Sequence, residues 1–182
     1  MWPGRAVWLS GIVAADWRCE VGRLCALFLV SVCSASAGWA QASASPATDR
    51  GKATIFTADD LTAALAKLPA DRPSGAARVF SLAPYNVNVE QRQPRPQGAS
   101  LHEAQAEFFY VIEGSATLLT GGSVTSPTRN GTNITGPGIE GGVRQTFKKG
   151  DFMIVPSGVA HQFLDITAPV RLLQIYLPNA PQ

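Results

Sequence analysis

From residue 78 to the C-terminus, apolar and polar positions alternate with a period close to two, and the alternation is broken at short intervals by glycine, proline or small polar clusters. Residues 78–91 put Tyr85, Val87 and Val89 on one face of an extended chain and Asn86, Asn88 and Glu90 on the other. Apolar stretches follow at 106–112, 115–119, 152–155, 159–164 and 171–177, separated by Glu113-Gly114, Lys149-Gly150-Asp151 and Pro156-Ser157-Gly158. Many short strands joined by tight turns predict an all-β sandwich or barrel. Gly114, Gly150 and Gly158 read as turn residues with positive φ rather than ligand contacts. Phe109, Phe152 and Phe163 read as core or cavity wall, and Tyr110, which alternates out of their register, as packing.

One segment has a helical period. Thr57 is placed to cap it, Asp59 and Asp60 fall in its first turn, and Leu61, Leu65 and Leu68 form one apolar stripe. Pro69 and the cluster Asp71-Arg72-Pro73-Ser74-Gly75 end it. Residues 43–53 ahead of it have the composition of a flexible tail. Residues 121–142 have no clear period: Gly, Ser, Thr, Asn and Pro dominate, and only Val124, Ile134 and Ile139 are apolar. Loops that long are usually functional or disordered. A mobile loop partly covering the cavity, with a middle the fold can spare, is the expectation.

The first forty or so residues differ in character. Arg23 precedes the apolar run from Leu24 to Val32, and small residues lead to Ala40-Gln41-Ala42, the grammar of a secretory signal cleaved after Ala42 or Ala40. The run is too short for a comfortable membrane span. The stretch ahead of it, with Asp16 and Glu20, is unlike a short basic n-region, so Val21 is an alternative start if a GTG codon initiates there. The organisation expected is a signal peptide at 1–42, a tail and short helix at 43–76, and a barrel at 77–182, in a periplasmic or secreted protein. The three cysteines (Cys19, Cys25, Cys33) and all four tryptophans lie in this leader. The mature domain then has no disulfide and no Cys-ligated metal, and histidine and carboxylate are left as ligands. A formal net charge of +2 gives no basic face for nucleic acid or anionic membrane.

Histidine is the scarce residue, with two in the chain. His161 lies in Gly150-Asp-Phe-Met-Ile-Val-Pro156-Ser-Gly158-Val-Ala-His161-Gln-Phe-Leu-Asp165, and His102 in His102-Glu-Ala-Gln-Ala-Glu107-Phe-Phe-Tyr-Val-Ile-Glu-Gly114. The first of these stretches resembles the second cupin motif, G-x5-P-x-G-x2-H-x3-N, with Asp165 in place of the final Asn. The other resembles the first cupin motif, G-x5-H-x-H-x4-E-x6-G, with Ser100 where its first His would stand and no Gly before it. The resemblance spans roughly Tyr85 to Tyr176. It implies a cupin jelly-roll β-barrel of two antiparallel sheets, with the helix packed outside.

Strand geometry agrees with that resemblance. Residues two apart share a face, so His161, Phe163 and Asp165 are expected to point one way, as are Glu107, Phe109 and Val111. Two such faces meeting inside a barrel bring His102, Glu107 and His161 around one point. Two imidazoles and one carboxylate are the donor set for one divalent metal ion, Fe, Mn, Zn, Ni or Cu, with coordination positions left open. Glu103 is expected on the opposite side. The function expected is an exported metal-binding cupin acting on or binding a small molecule, as an oxygenase or isomerase; the alternatives are a non-catalytic ligand-binding cupin and a structural barrel without metal. With no third histidine, a general base would have to be Glu103, Glu90, Asp165 or a tyrosine. A small-molecule partner is expected, nucleic acid and a stable membrane anchor are not, and homodimerisation is left open.

Overall fold

The computed structural model describes residues 48–180; the expected leader lies outside them. The helix forms as α1 (Ala58–Ala66), and Thr57 caps it. The Thr57 hydroxyl accepts from the Asp60 N–H at 3.2 Å, and the Asp60 carboxylate accepts from the Thr57 N–H at 2.9 Å, so two otherwise orphaned donors are satisfied reciprocally. The same bonds hold the exposed Asp60 carboxyl below its ordinary pKa. Nine residues are too few for a helix to persist alone. What holds this one is its stripe: buried Leu65, with Leu61 and Leu68, packs against Val79 and Val89 on the outside of a sheet.

The strands run in chain order β1 (Ser74–Leu82), β2 (Tyr85–Arg92), β3 (Ala99–His102), β4 (Gln105–Glu113), β5 (Ser115–Thr120), β6 (Ser123–Val124), β7 (Thr128–Asn130), β8 (Asn133–Gly136), β9 (Ile139–Glu140), β10 (Val143–Lys148), β11 (Phe152–Val155), β12 (His161–Leu164) and β13 (Val170–Pro178). They make a five-stranded sheet, β1-β2-β13-β4-β11, and a six-stranded sheet, β10-β5-β12-β3-β8-β7, with β6 and β9 as a separate pair. From β3 to β5 and again from β10 to β13, the chain changes sheet at every turn. Neighbours in sequence therefore face each other across the core. Gly114 makes the turn from β4 to β5 at φ 91, where a Cβ would come within 3.0 Å of the Pro169 carbonyl and the Val170 backbone.

The alternating stretch 78–91 is a hairpin, reversing at Ala83-Pro84 with Leu82 opposite Tyr85. A two-residue turn shifts the period by one, so the face that carries Phe80 and Leu82 before the turn carries Tyr85 and Val87 after it. Its polar face is the interior one: Asn88 and Glu90 are buried inside the barrel, while Val87 and Val89 face outward under α1.

Between the sheets sit Phe109, Val111, Leu118, Phe147, Val155, Phe163, Val170 and Leu172. Phe163 meets Phe109 and Phe147 edge to face at 5.6 and 5.8 Å, and the Arg92 guanidinium lies 3.9 Å from its ring centroid. Phe163→Ala is expected to cost about 3–5 kcal/mol in urea unfolding; a loss under about 1 kcal/mol would show that the ring is not part of the core.

Phe152 does not join this core. Inward positions on β11 belong to Met153 and Val155, and Phe152, 67% exposed, packs tilted against Tyr110 with centroids 4.9 Å apart and forms part of the wall of a surface hollow instead.

The largest departure from expectation is residues 121–142, which are not a loop. They hold four short strands, and β8 pairs along the whole of β3, from Ala99 opposite Gly136 to His102 opposite Asn133. Without β8, the edge of β3 would present unpaired N–H and C=O groups. A local signal exists in Gly131, which takes φ 59 at the first of the two turn positions between the paired Asn130 and Asn133. At Gly136 the hairpin approaches its neighbour so closely that a Cβ would lie 2.3 Å from the Thr125 carbonyl oxygen.

Candidate metal centre

Opposite walls of the barrel supply the three expected residues. Glu107 lies on β4 of the five-stranded sheet, and His102 and His161 on β3 and β12 of the six-stranded one. One ligand atom from each falls in a cluster in which all lie within 4.8 Å of one another. Glu107 Oε2 is 2.8 Å from His161 Nε2 and 3.5 Å from His102 Nε2. The two ring centroids are 5.6 Å apart. Glu107 and His161 are 2% and 3% exposed, whereas His102 is half-buried, so solvent reaches the cluster on the His102 side.

Glu107 Oε2 is buried and has no well-directed hydrogen bond despite its close neighbours. A buried carboxylate oxygen without a partner costs on the order of 1–3 kcal/mol or more; an N–H on His161 Nε2, 2.8 Å away, offsets part of that cost. A cation between the three ligand atoms would offset the rest. The residues fit such a group in donor type, number and convergence. Burial raises the Glu107 carboxyl, but the adjacent imidazoles, His161 before His102, outweigh it, and the carboxyl ionises below its ordinary pKa.

Around the cluster, His102 Nδ1 donates to Asn133 Oδ1 at 2.6 Å, which puts the ring proton on Nδ1 and leaves the Nε2 lone pair facing Glu107. Asn133 belongs to the β7–β8 hairpin, within the stretch whose composition predicts a loop, and no motif position marks it. Tyr176 stands edge-on to His102 at 5.9 Å. Burial, then the Glu107 and Glu90 charges, push its hydroxyl up to about 12, so it stays neutral, and it accepts from Gln174 Nε2 at 3.2 Å beside Glu107. Ser100 pairs with His161 across β3 and β12 and shares the face of His102.

The other titratable candidates separate by position. Glu103 lies on the outside, paired with Arg129 at 2.6 and 3.0 Å. Asp165 does not continue the His161 and Phe163 face. The strand ends at Leu164, and Asp165 turns out at φ 57 to meet Arg144 at 2.6 Å. Asn and Asp tolerate that left-handed conformation best among residues with a Cβ, which accounts for an Asp where the motif carries Asn. Glu90 alone is interior, bonded to Arg92 at 2.9 Å, and burial raises its carboxyl against the pull of that arginine.

A hollow of about 420 Å³ opens between the free edges β10 and β11, with Leu118, Phe147, Met153 and Val159 among its walls. None of the three cluster residues lines it, but it reaches Thr120, which pairs directly with His161.

No family model and no curated protein matches the chain. Solved structures do. KdgF from Halomonas sp. superposes with a TM-score of 0.50 at 11% identity, over 71% of this chain and 96% of that one. An uncharacterised conserved protein with a double-stranded β-helix domain from Klebsiella pneumoniae aligns at 18% identity and a TM-score of 0.48, over 70% and 91%. The cupin domain of Cnp3 from Schizosaccharomyces pombe aligns at 13% identity and 0.45, over 63% and 72%. The chain has the cupin fold.

Proposed function

We propose that this cupin-fold chain is an exported protein that binds one divalent metal ion through His102 Nε2, Glu107 Oε2 and His161 Nε2, and receives a small molecule at the coordination positions left open. The observation carrying this reading is the buried Glu107 Oε2, lacking a directed hydrogen bond, between two imidazole nitrogens. The bound ion would supply Lewis acidity or oxygen activation. The chain's own residues do the rest: Asn133 holds the His102 tautomer, the neutral Tyr176 hydroxyl packs beside Glu107, and the apolar core supports the strands that carry the cluster. The hollow that reaches Thr120 combines apolar walls with Gln145, Thr146 and Asp151, which suits a ligand with both an apolar and a polar part. Export rests on the leader grammar of residues 1–42.

Metal analysis of protein purified without chelators tests the reading, together with melting after addition of Mn, Fe, Ni, Cu or Zn. Stoichiometric metal, or a rise in melting temperature with one of these ions, supports it. No bound metal and no response to any ion defeats it. Asn133→Ala is expected to weaken metal binding about 10-fold or more by releasing the His102 ring, read by competition with a chelator.

Capture of a ligand without turnover is the second reading. It is favoured by the position of Glu103 and Asp165: two of the nominated proton carriers sit in surface ion pairs away from the cluster, while Glu90 and Tyr176 stay inside.

A further inference from the structure

The two oxygens of Glu107 have different neighbours. Oε2 faces the imidazoles, while Oε1 accepts a hydrogen bond from Gln174 Nε2 at 2.9 Å. Gln174 is itself buried, and its Oε1 accepts from Asn88 Nδ2 at 3.0 Å. Asn88 Oδ1 in turn accepts from Arg78 Nε at 2.7 Å. Sheet register brings the middle of this chain together, because Gln174 on β13 lies directly opposite Asn88 on β2.

The ends of the chain determine its direction. A guanidinium only donates and a carboxylate only accepts, whereas each carboxamide between them can present either its oxygen or its nitrogen. Arg78 requires the oxygen of Asn88, which turns the Asn88 nitrogen to Gln174. Gln174 must then meet it with oxygen, and its own nitrogen is left for Glu107 and, at 3.2 Å, for the Tyr176 hydroxyl. Flipping either amide would set donor against donor at one end and acceptor against acceptor at the other. Glu107 Oε1 is therefore always the oxygen held by a donor, and Oε2 always the one left for the imidazoles.

We propose that Gln174, oriented by Asn88 and Arg78, is a positioning residue that restricts Glu107 to coordination through a single oxygen; this rests on the metal reading above. With one oxygen and two imidazoles engaged, an ion that takes six ligands keeps three positions, room for a ligand that chelates through two donor atoms beside a water. Were Oε1 free to join, two positions would remain.

Cobalt(II) titration of the purified protein tests this, read by affinity and by the visible absorption of the bound ion. Gln174→Met keeps the side-chain volume and removes the donor. Cobalt affinity is expected to fall about 10–100-fold, and the absorption to change in position and intensity as Oε1 enters the coordination sphere. Lost packing alone would lower the melting temperature without changing the spectrum. Asn88→Asp keeps an acceptor for Arg78 but gives Gln174 no donor, so a smaller loss is expected, and the double variant should bind no more weakly than Gln174→Met alone. Wild-type protein that binds cobalt, with Gln174→Met matching it in affinity and spectrum, overturns the positioning role and leaves the metal reading standing. Wild-type protein that binds neither cobalt nor Mn, Fe, Ni, Cu or Zn overturns both, and if one of those ions binds where cobalt does not, the affinity comparison is made with that ion. If Gln174→Met does not fold, Asn88→Asp decides, and wild-type affinity and spectrum in that variant overturn the proposal.

Discussion

His161→Ala, His102→Ala and Glu107→Ala are each expected to lose stoichiometric metal, with affinity falling more than ~100-fold, beyond the ~10–100-fold typical of disturbing an outer partner. Removing one of three protein ligands leaves two, which rarely hold a first-row ion against water and a competing chelator. The barrel itself should keep a cooperative melt in all three variants, because its core of Phe109, Val111, Leu118, Phe163 and Leu172 contains none of the ligands. Ser100→Ala should change affinity little, since the cluster assembles without it. Binding should also weaken as pH falls below about 6, because a ligand imidazole must be neutral and a free one titrates near 6.5. Metal retained at wild-type stoichiometry in any one of the three alanine variants would exclude that residue as a ligand.

Replacing residues 126–137 by a short Gly-Ser turn is expected to damage both stability and metal binding. The deletion strips β3 of its partner along Ala99–His102 and removes the Asn133 acceptor from the His102 ring. At about 1 kcal/mol for each net hydrogen bond, losing the β3–β8 ladder costs a few kcal/mol, and the melting temperature should fall by on the order of 10 °C. Cobalt affinity should fall at least ~10-fold as the His102 ring is freed. Both quantities unchanged would mean that the segment is the dispensable loop its composition suggests, and that the β3–β8 pairing contributes nothing measurable.

Much of this molecule was legible in the order of its residues, because the relevant physics is local. A period of two over short stretches, punctuated by Gly114, Gly150 and Gly158, dictates strands and turns; all three glycines have positive φ. Thr57 with Asp60 dictates where α1 begins, since the capping box closes within four residues. The spacing of His102, Glu107 and His161 on motif positions identified the cluster that folding draws together. Other features depended on which face meets which neighbour, and no local pattern encodes that. The polar side of β2 turned inward because α1 covers its apolar side, and the same alternation would serve either way. Phe152 was left outside because Met153 and Val155 hold the inward positions of β11. The segment 121–142 became sheet because the free edge of β3 needed a partner, a demand that exists only once β3 is in place. The same holds for Asn133 and Gln174. Both are ordinary polar residues in the sequence, and only long-range pairing, β8 on β3 and β13 between β2 and β4, brings their amides to His102 and Glu107.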